Sequence, residues 1–157
     1  MLYPKRFRLA ALVGMAAAAT TATVAIAEPG SGISAQLLVA ANLNDTAQTN
    51  HDRIKFQTKE PTDVRLQKLT FAPGARSGWH HHPGLLLVSV QSGQVTLTDH
   101  NCAAKTYGPG LPNGSVFVEA HDDAMQATST TGAVVYVTFV VPRGAPTRIE
   151  DNPVSCP

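Results

Sequence analysis

Short segments with strand-type composition, separated by glycine and proline, are the feature that most restricts how this chain can fold. The strongest segment, residues 133–141, is dominated by valine and is followed by Pro142. Residues 62–71, 85–90 and 116–119 show a similar preference for β-branched, aromatic or alternating apolar side chains, which favours strands. After residue 27, no segment combines an apolar period of about 3.6 residues with helix caps. We therefore predict an all-β sandwich or barrel.

The N-terminal part of this region is less regular. Residues 33–39 and 52–58 are predicted strands. The stretch 41–50 between them is predicted to be a loop, because its asparagine, aspartate, threonine and glutamine residues are polar and favour turns. Residues 72–74, Ala-Pro-Gly, are predicted to form a turn. The chain is thus expected to turn just before its histidine-rich stretch.

The first 27 residues have the composition of an export signal. Three basic residues within the first eight precede an apolar run, residues 9–19, that is short for a membrane span. Residues 25–27, Ala-Ile-Ala, fit the small-x-small pattern of a cleavage site. We predict cleavage before Glu28 and an exported protein, periplasmic or extracellular. A retained membrane anchor is the alternative.

The composition of the remaining chain argues against several classes of partner. The full chain of 157 residues has 12 basic and 11 acidic residues, and three of the basic ones lie in the predicted leader. No basic patch with interleaved aromatic residues is present, so neither nucleic acid nor, after cleavage, a membrane is a predicted partner. The predicted organisation is a signal peptide (1–27), N-terminal strands and a loop (28–62), and one domain (63–157).

Two cysteines, Cys102 and Cys156, remain after the leader. Disulfides form and persist in the compartments that an exported chain enters. A pair of cysteines in such a chain is most simply one bridge, which would tie the segment before Cys156 back to a loop around Cys102. Metal binding by the two thiols is the alternative, although neither has a closely spaced partner.

Three of the six histidines stand side by side, His80, His81 and His82, with Gly78 and Gly84 on either side. Successive side chains of a strand point to opposite faces. His80 and His82 are therefore expected to share one face and His81 to take the other. Two imidazoles on one face can reach one metal ion, or one anionic ligand, from the same side.

The histidine stretch resembles the first motif of the cupin superfamily. Gly74, His80, His82 and Gly93 fall at the spacings of that motif, whereas Leu86 stands where the family has a glutamate that usually binds metal. The sequence Ser-Gly-Trp-His-x-His-Pro-Gly is similar to the corresponding sequence of small, exported, single-domain bacterial cupins. The resemblance covers residues 63–157. It implies a double-stranded β-helix, the jelly-roll barrel, with a histidine-lined pocket.

Cupins take a further histidine from a second motif, which is degraded in this chain. Residues 107–110 and 117–119 resemble its opening, and the expected histidine falls near Met125. His121 is predicted to be the third ligand, or else a surface histidine between acidic neighbours. Met125 is interpreted as a core residue, with a thioether ligand as the alternative. Glu119 is either a carboxylate ligand or a residue facing solvent.

The resemblance implies a pocket that binds one divalent transition metal (Zn, Fe, Mn, Ni or Cu) through His80, His82 and His121, together with a small molecule. Three functions remain open. The first is a metal-dependent enzyme of dioxygenase or isomerase type, and the second is a non-catalytic pocket that binds a ligand or stores a metal. The third is a metal-free ligand-binding or structural domain. No catalytic residue is assigned, because Gly-x-Ser-x-Gly, phosphate-binding and HExxH motifs are absent from the sequence. A homodimer is also left open.

Overall fold

The computed structural model describes residues 30–120 and 122–156. The predicted export signal and its cleavage site lie outside these residues, and so does His121. The regular elements of the described chain are strands: β1 (Ser31–Leu43), β2 (Gln48–His51), β3 (Ile54–Gln57), β4 (Thr62–Arg76), β5 (His80–His81), β6 (Leu85–Gly93), β7 (Val95–Asp99), β8 (Ala104–Tyr107), β9 (Val116–Glu119), β10 (Met125–Ser129), β11 (Ala133–Pro142) and β12 (Ile149–Glu150). Over the same residues, no helix has the length and apolar character that crossing a membrane requires.

Strand β11 lies at the centre of the sheet and pairs with β4 on one side and β6 on the other. Its side chains alternate strictly between buried and half-buried positions, as expected when successive residues face opposite sides of a strand. The inward set is apolar throughout and forms a large part of the core: Ala133, Val135, Val137, Phe139 and Val141. The segment most strongly predicted to be a strand therefore forms the central strand of the sheet.

The strands form one large antiparallel sheet that closes into a nearly complete barrel. Its main path runs β12–β5–β10–β4–β11–β6–β9, with β1 added on β4, and β7 and β8 added beside β10. The strands β2 and β3 form a separate hairpin. The prediction of an all-β jelly-roll barrel is confirmed.

The N-terminal strands differ from the prediction. Strand β1 is longer than the predicted 33–39, and the stretch 41–50, predicted to be a loop, contains the end of β1 and most of β2. The reason is backbone pairing: β1 follows β4 from Ser31 opposite Arg76 to Leu43 opposite Thr62. A long ladder of main-chain hydrogen bonds can hold polar residues in a strand.

The turn predicted at residues 72–74 is wrong, because β4 runs through it to Arg76. The register with β1 instead shifts between Ser31, opposite Arg76, and Ile33, opposite Phe71. Gly74 has a φ of +78° within this irregular segment. Glycine is typical of bulges as well as of turns, so the sequence alone did not separate the two. A bulge bends the strand without reversing the direction of the chain.

The segment of residues 147–156, called the closing segment below, returns to the histidine-rich strand. Its short strand β12 pairs with β5, with Ile149 opposite His81 and Glu150 opposite His80. A disulfide between Cys102 and Cys156, with Cα atoms 5.6 Å apart, fastens this segment to the β7–β8 connection. This is the pairing that the sequence predicted.

Removing the disulfide should destabilise the protein, because the bridge joins cysteines 54 residues apart and so restricts the unfolded chain. We expect Cys156→Ser to lower the free energy of unfolding by roughly 2–4 kcal/mol, measured by urea denaturation. The wild-type protein with its disulfide reduced should behave like the variant. Equal midpoints for oxidised wild type and variant would contradict the expectation.

Candidate metal centre

His80 and His82 point into the barrel, and His81 does not. His80 and His82 are 6% and 4% exposed, and their ring centroids are 4.8 Å apart in an edge-to-face arrangement. His81 is half-buried, and its Nδ1 lies 2.8 Å from a carboxylate oxygen of Asp151 in the closing segment. The alternation predicted for the three histidines is confirmed.

Glycine allows the backbone to reach this arrangement. A Cβ atom at Gly84, just after the histidines, would lie 2.3 Å from the carbonyl oxygen of Val140. Any larger residue would therefore push the histidine-bearing segment away from β11. The glycine after the motif is thus required by packing, because only a residue without a Cβ atom fits against β11.

Backbone carbonyls fix the proton on the Nδ1 atom of each inward histidine. His80 Nδ1 lies 2.9 Å from the carbonyl oxygen of Gly78, and His82 Nδ1 lies 2.5 Å from that of Thr147. A carbonyl oxygen can only accept, so each Nδ1 must donate. In the neutral imidazole, Nε2 then carries a lone pair. Both histidines are held in the tautomer that can bind a metal through Nε2.

Glu119 is the third member of the cluster. It is 5% exposed, and it stands on β9 directly opposite Leu86 on β6. One ligand atom from each of His80, His82 and Glu119 can be chosen so that all lie within 4.8 Å of one another. The position opposite Leu86 therefore carries a buried carboxylate, although position 86 itself has none.

Two acceptors face each other inside this cluster. His82 Nε2 lies 3.1 Å from a carboxylate oxygen of Glu119. It is nevertheless a buried atom with no hydrogen-bond partner among the described residues. With the proton on Nδ1, the Nε2 lone pair and the carboxylate oxygen repel each other unless a cation or a proton lies between them. Buried polar atoms are rarely left in this condition.

His80 is held in its neutral form. Its pKa is lowered to about 4, chiefly because the imidazole is buried and also because the Arg148 guanidinium is nearby, while the Gly78 carbonyl opposes the shift. A neutral imidazole is required for metal binding. His80 therefore stays available as a ligand well below neutral pH.

The closing segment supplies contacts that the sequence did not reveal. Besides the Thr147 carbonyl, it provides Arg148, whose guanidinium donates to the Ser77 carbonyl oxygen at 2.6 Å. Arg148 also pairs with Glu150 through two nitrogens, one of them 2.6 Å from a carboxylate oxygen. The only sequence signal that this segment returns to the barrel was the predicted disulfide.

The three residues of the cluster line a cavity of about 60 Å³ inside the barrel. Four of the lining residues are polar: Ser77, His80, His82 and Glu119. Leu86, 2% exposed, is part of the remaining, apolar wall. The substitution of leucine at the motif position thus makes the cavity drier beside the cluster.

The second-motif residues have different outcomes. Met125 is 5% exposed and pairs with His80 across β10 and β5, and it is not among the residues lining the cavity. It behaves as the predicted core residue. His121 lies outside the described residues, so its role as a ligand stays a prediction. Glu119, left open by the sequence, is buried in the cluster. The sequence contained a signal that Glu119 is buried, because in a strand it shares a face with the large aromatic Phe117.

Comparisons with known proteins bear on the fold. No protein-family model and no curated protein matches the sequence. A solved cupin-2 domain protein from Rhodospirillum rubrum superposes with a TM-score of 0.52 and 11% identity, covering 79% of this chain and 68% of that one. The chain has the cupin fold.

Two further structures are similar to this cupin-fold chain. A cupin superfamily protein from Desulfitobacterium hafniense gives a TM-score of 0.48 at 12% identity, covering 71% of this chain and 80% of that one. A chain from crystal structures of DMSP lyases gives 0.47 at 21% identity, covering 60% of this chain. The present chain spans 46% of that lyase chain. At these identities the likeness concerns the fold alone.

The buried His80 should make the metal-free protein sensitive to acid. Its folded-state pKa is about 4 instead of 6.5, so the unfolded chain takes up this proton at higher pH than the folded chain does. The resulting stabilisation is fully present above pH 6.5 and is lost as pH falls towards 4. We expect it to amount to about 3 kcal/mol.

Urea denaturation with chelator present, repeated from pH 7 to pH 4, measures this effect. His80→Asn should flatten the dependence of unfolding free energy on pH. The matched control His100→Asn, at a surface histidine whose side chain is 42% exposed, should leave it unchanged. Equal slopes in wild type and His80→Asn would show that His80 is not responsible.

Proposed function

We propose that this protein is an exported cupin-fold protein that holds one divalent transition metal through His80, His82 and Glu119 and binds a small molecule in the adjoining cavity. The observation that carries the proposal is the buried set of acceptors. One ring nitrogen from each histidine and a carboxylate oxygen of Glu119 can be chosen within 4.8 Å of one another, and His82 Nε2 has no donor among the described residues. A cation satisfies all three at once.

The chemistry of the ligand set narrows the choice of metal. Imidazole suits Zn, Cu, Fe and Ni, whereas Mg and Ca prefer sites made of oxygen ligands. Two histidines with one carboxylate are typical both of catalytic zinc sites and of non-haem iron(II) sites. Zn, Fe, Mn, Ni and Cu all remain candidates. When bound, such a metal would supply Lewis acidity and open coordination positions for water or a small molecule.

The protein's own residues support this role in two ways. The carbonyls of Gly78 and Thr147 fix the tautomers of His80 and His82, as acceptors around metal sites commonly do. The apolar cavity wall lowers the local polarity, which strengthens the attraction between a cation and Glu119. The role that these residues support is the binding of a metal and a small molecule.

Export is part of the proposal. The leader predicted at residues 1–27 would direct the chain out of the cytosol, and the disulfide between Cys102 and Cys156 is consistent with that destination. N-terminal sequencing of the mature protein tests this part, with Glu28 as the expected first residue. A retained Met1 would contradict cleavage.

A metal-free pocket is the competing function, and one contact favours it. The 3.1 Å separation of His82 Nε2 and Glu119 is also that of an ion pair if His82 carries a second proton. In that case the cluster is a buried polar network that lines a ligand pocket without a metal.

Metal binding separates the two functions. We expect purified, chelator-treated protein to bind about one equivalent of Zn(II) or Co(II), measured by calorimetry and elemental analysis. His80→Ala, His82→Ala and Glu119→Gln should each weaken binding by more than about 100-fold, because each removes a proposed ligand. His81→Ala is the matched control and should bind as the wild type does.

The same titration decides the role of His121. If His121→Ala weakens binding as much as His80→Ala, His121 is a further ligand, as the sequence predicted. Unchanged binding removes it from the site. Failure of the wild-type protein to bind any transition metal, or equal behaviour of the His80 and His81 variants, would favour the metal-free pocket.

The position of the carboxylate gives a sharper test. Leu86 and Glu119 are directly opposite on β6 and β9, and both line the cavity. Opposite residues have Cβ atoms about 5 Å apart, so a carboxylate at either position can reach the same space. We expect Glu119→Leu to lose metal and the double variant Leu86→Glu/Glu119→Leu to regain at least part of the affinity. No recovery in a folded double variant would contradict the idea that the two positions are equivalent.

A further inference from the structure

We infer that the molecule accepted by this cavity is very small, with about two to four non-hydrogen atoms and a single polar end directed at the His80–His82–Glu119 cluster. The inference deepens the proposed function, because it concerns the ligand of the same site. It depends on the shape and polarity of the cavity wall, which are present with or without a metal.

The size limit comes from the cavity volume. The cavity measures about 60 Å³. An apolar cavity of about 150 Å³ in another protein accommodates benzene, which is roughly 25 Å³ for each carbon atom. At that ratio, this cavity accommodates about two to three heavy atoms, and a fourth if its polar end occupies the cluster itself. Six-membered rings and chains of six carbons exceed it.

The polarity of the ligand follows from the wall. Apart from the cluster and Ser77, every lining residue is apolar, and none of the described lining residues is cationic. The Ser77 hydroxyl already donates to the Gly78 carbonyl and accepts from the Ala127 amide. A second polar or charged group on the ligand would therefore be buried without a partner, which lowers affinity.

The nearest guanidinium does not change this conclusion. Arg148 is held by the Ser77 carbonyl and by Glu150, and it is not part of the cavity wall. Even with a metal at the cluster, a ligand with two carboxylates would find one partner there and none elsewhere in the cavity. Dicarboxylates and amino acids are thus disfavoured.

The wall cannot expand easily. Val135 and Val137 belong to the central strand β11 and are 1% and 3% exposed, while Leu86 on the neighbouring β6 is 2% exposed. Closely packed strands in register resist enlargement, because displacing one side chain moves the core behind it. The volume of the cavity therefore limits the size of the ligand that it accepts.

Simple alcohols test both limits, with methyl NMR signals of Leu86, Val135 and Val137 as the readout. The titrations use the Zn(II)-loaded and the chelator-treated protein. Ethanol and 1-propanol should shift these signals in a saturable way. Ethylene glycol has as many heavy atoms as 1-propanol but two polar ends, and it should bind at least about tenfold more weakly. 1-Hexanol should give no saturable shift.

A pair of variants checks that the cavity is responsible. Leu86→Ala removes three carbon atoms, which enlarges the cavity to about five or six heavy atoms at the same ratio, and it should admit 1-pentanol, which the wild type should exclude. Val90→Ala removes a comparably buried side chain, 4% exposed, that does not line the cavity, and it should leave the selection unchanged. Saturable binding of 1-hexanol to the wild type, equal affinity for ethylene glycol and 1-propanol, or no binding of ethanol and 1-propanol would each overturn the inference.

These outcomes are independent of the proposed metal. Zn(II) retention is measured separately, so a protein that binds zinc but admits 1-hexanol refutes the ligand limits alone. A protein that never binds zinc but shows the expected selection among alcohols, when free of metal, refutes the metal proposal alone.

Discussion

The pairing of β11 with β4 and β6 is the constraint on which the rest of the barrel depends. It sets which residues of β6 face inward, with Leu86 opposite Phe139, and β9 then pairs with β6 in the register that places Glu119 opposite Leu86. A slip of one residue would turn these side chains to the outer face. The carboxylate of the proposed centre is therefore positioned by the same ladder that buries the core.

The parts of the structure that the sequence predicted well are those encoded locally. The alternation of His80, His81 and His82 follows from strand geometry, and the long valine-rich segment around Val137 could hardly be anything other than a buried strand. The spacing of glycines and histidines resembles that of the cupin motif, and this resemblance predicted a jelly-roll barrel. Each of these signals lies within a stretch of about 20 residues or fewer.

What the sequence could not supply depends on contacts between distant segments. The partner of Leu86 is Glu119, and nothing near either residue specifies that they pair. The acceptor for His82 is the backbone carbonyl of Thr147. Every residue has such a carbonyl, so the amino-acid type at position 147 does not reveal the contact. The segment 41–50 was predicted to be a loop from its polarity, whereas its pairing with other strands decided its structure.

The Thr147 carbonyl also imposes an order on how the site is completed. Thr147 follows His80, His82 and Glu119 along the chain, so a chain still being synthesised carries all three before it has the acceptor that orients His82. Such an incomplete chain lacks the contact that fixes the Nδ1 proton of His82. The orientation of one proposed ligand therefore depends on a main-chain oxygen 65 residues further along the chain, and the site is complete only when the segment after β11 is in place.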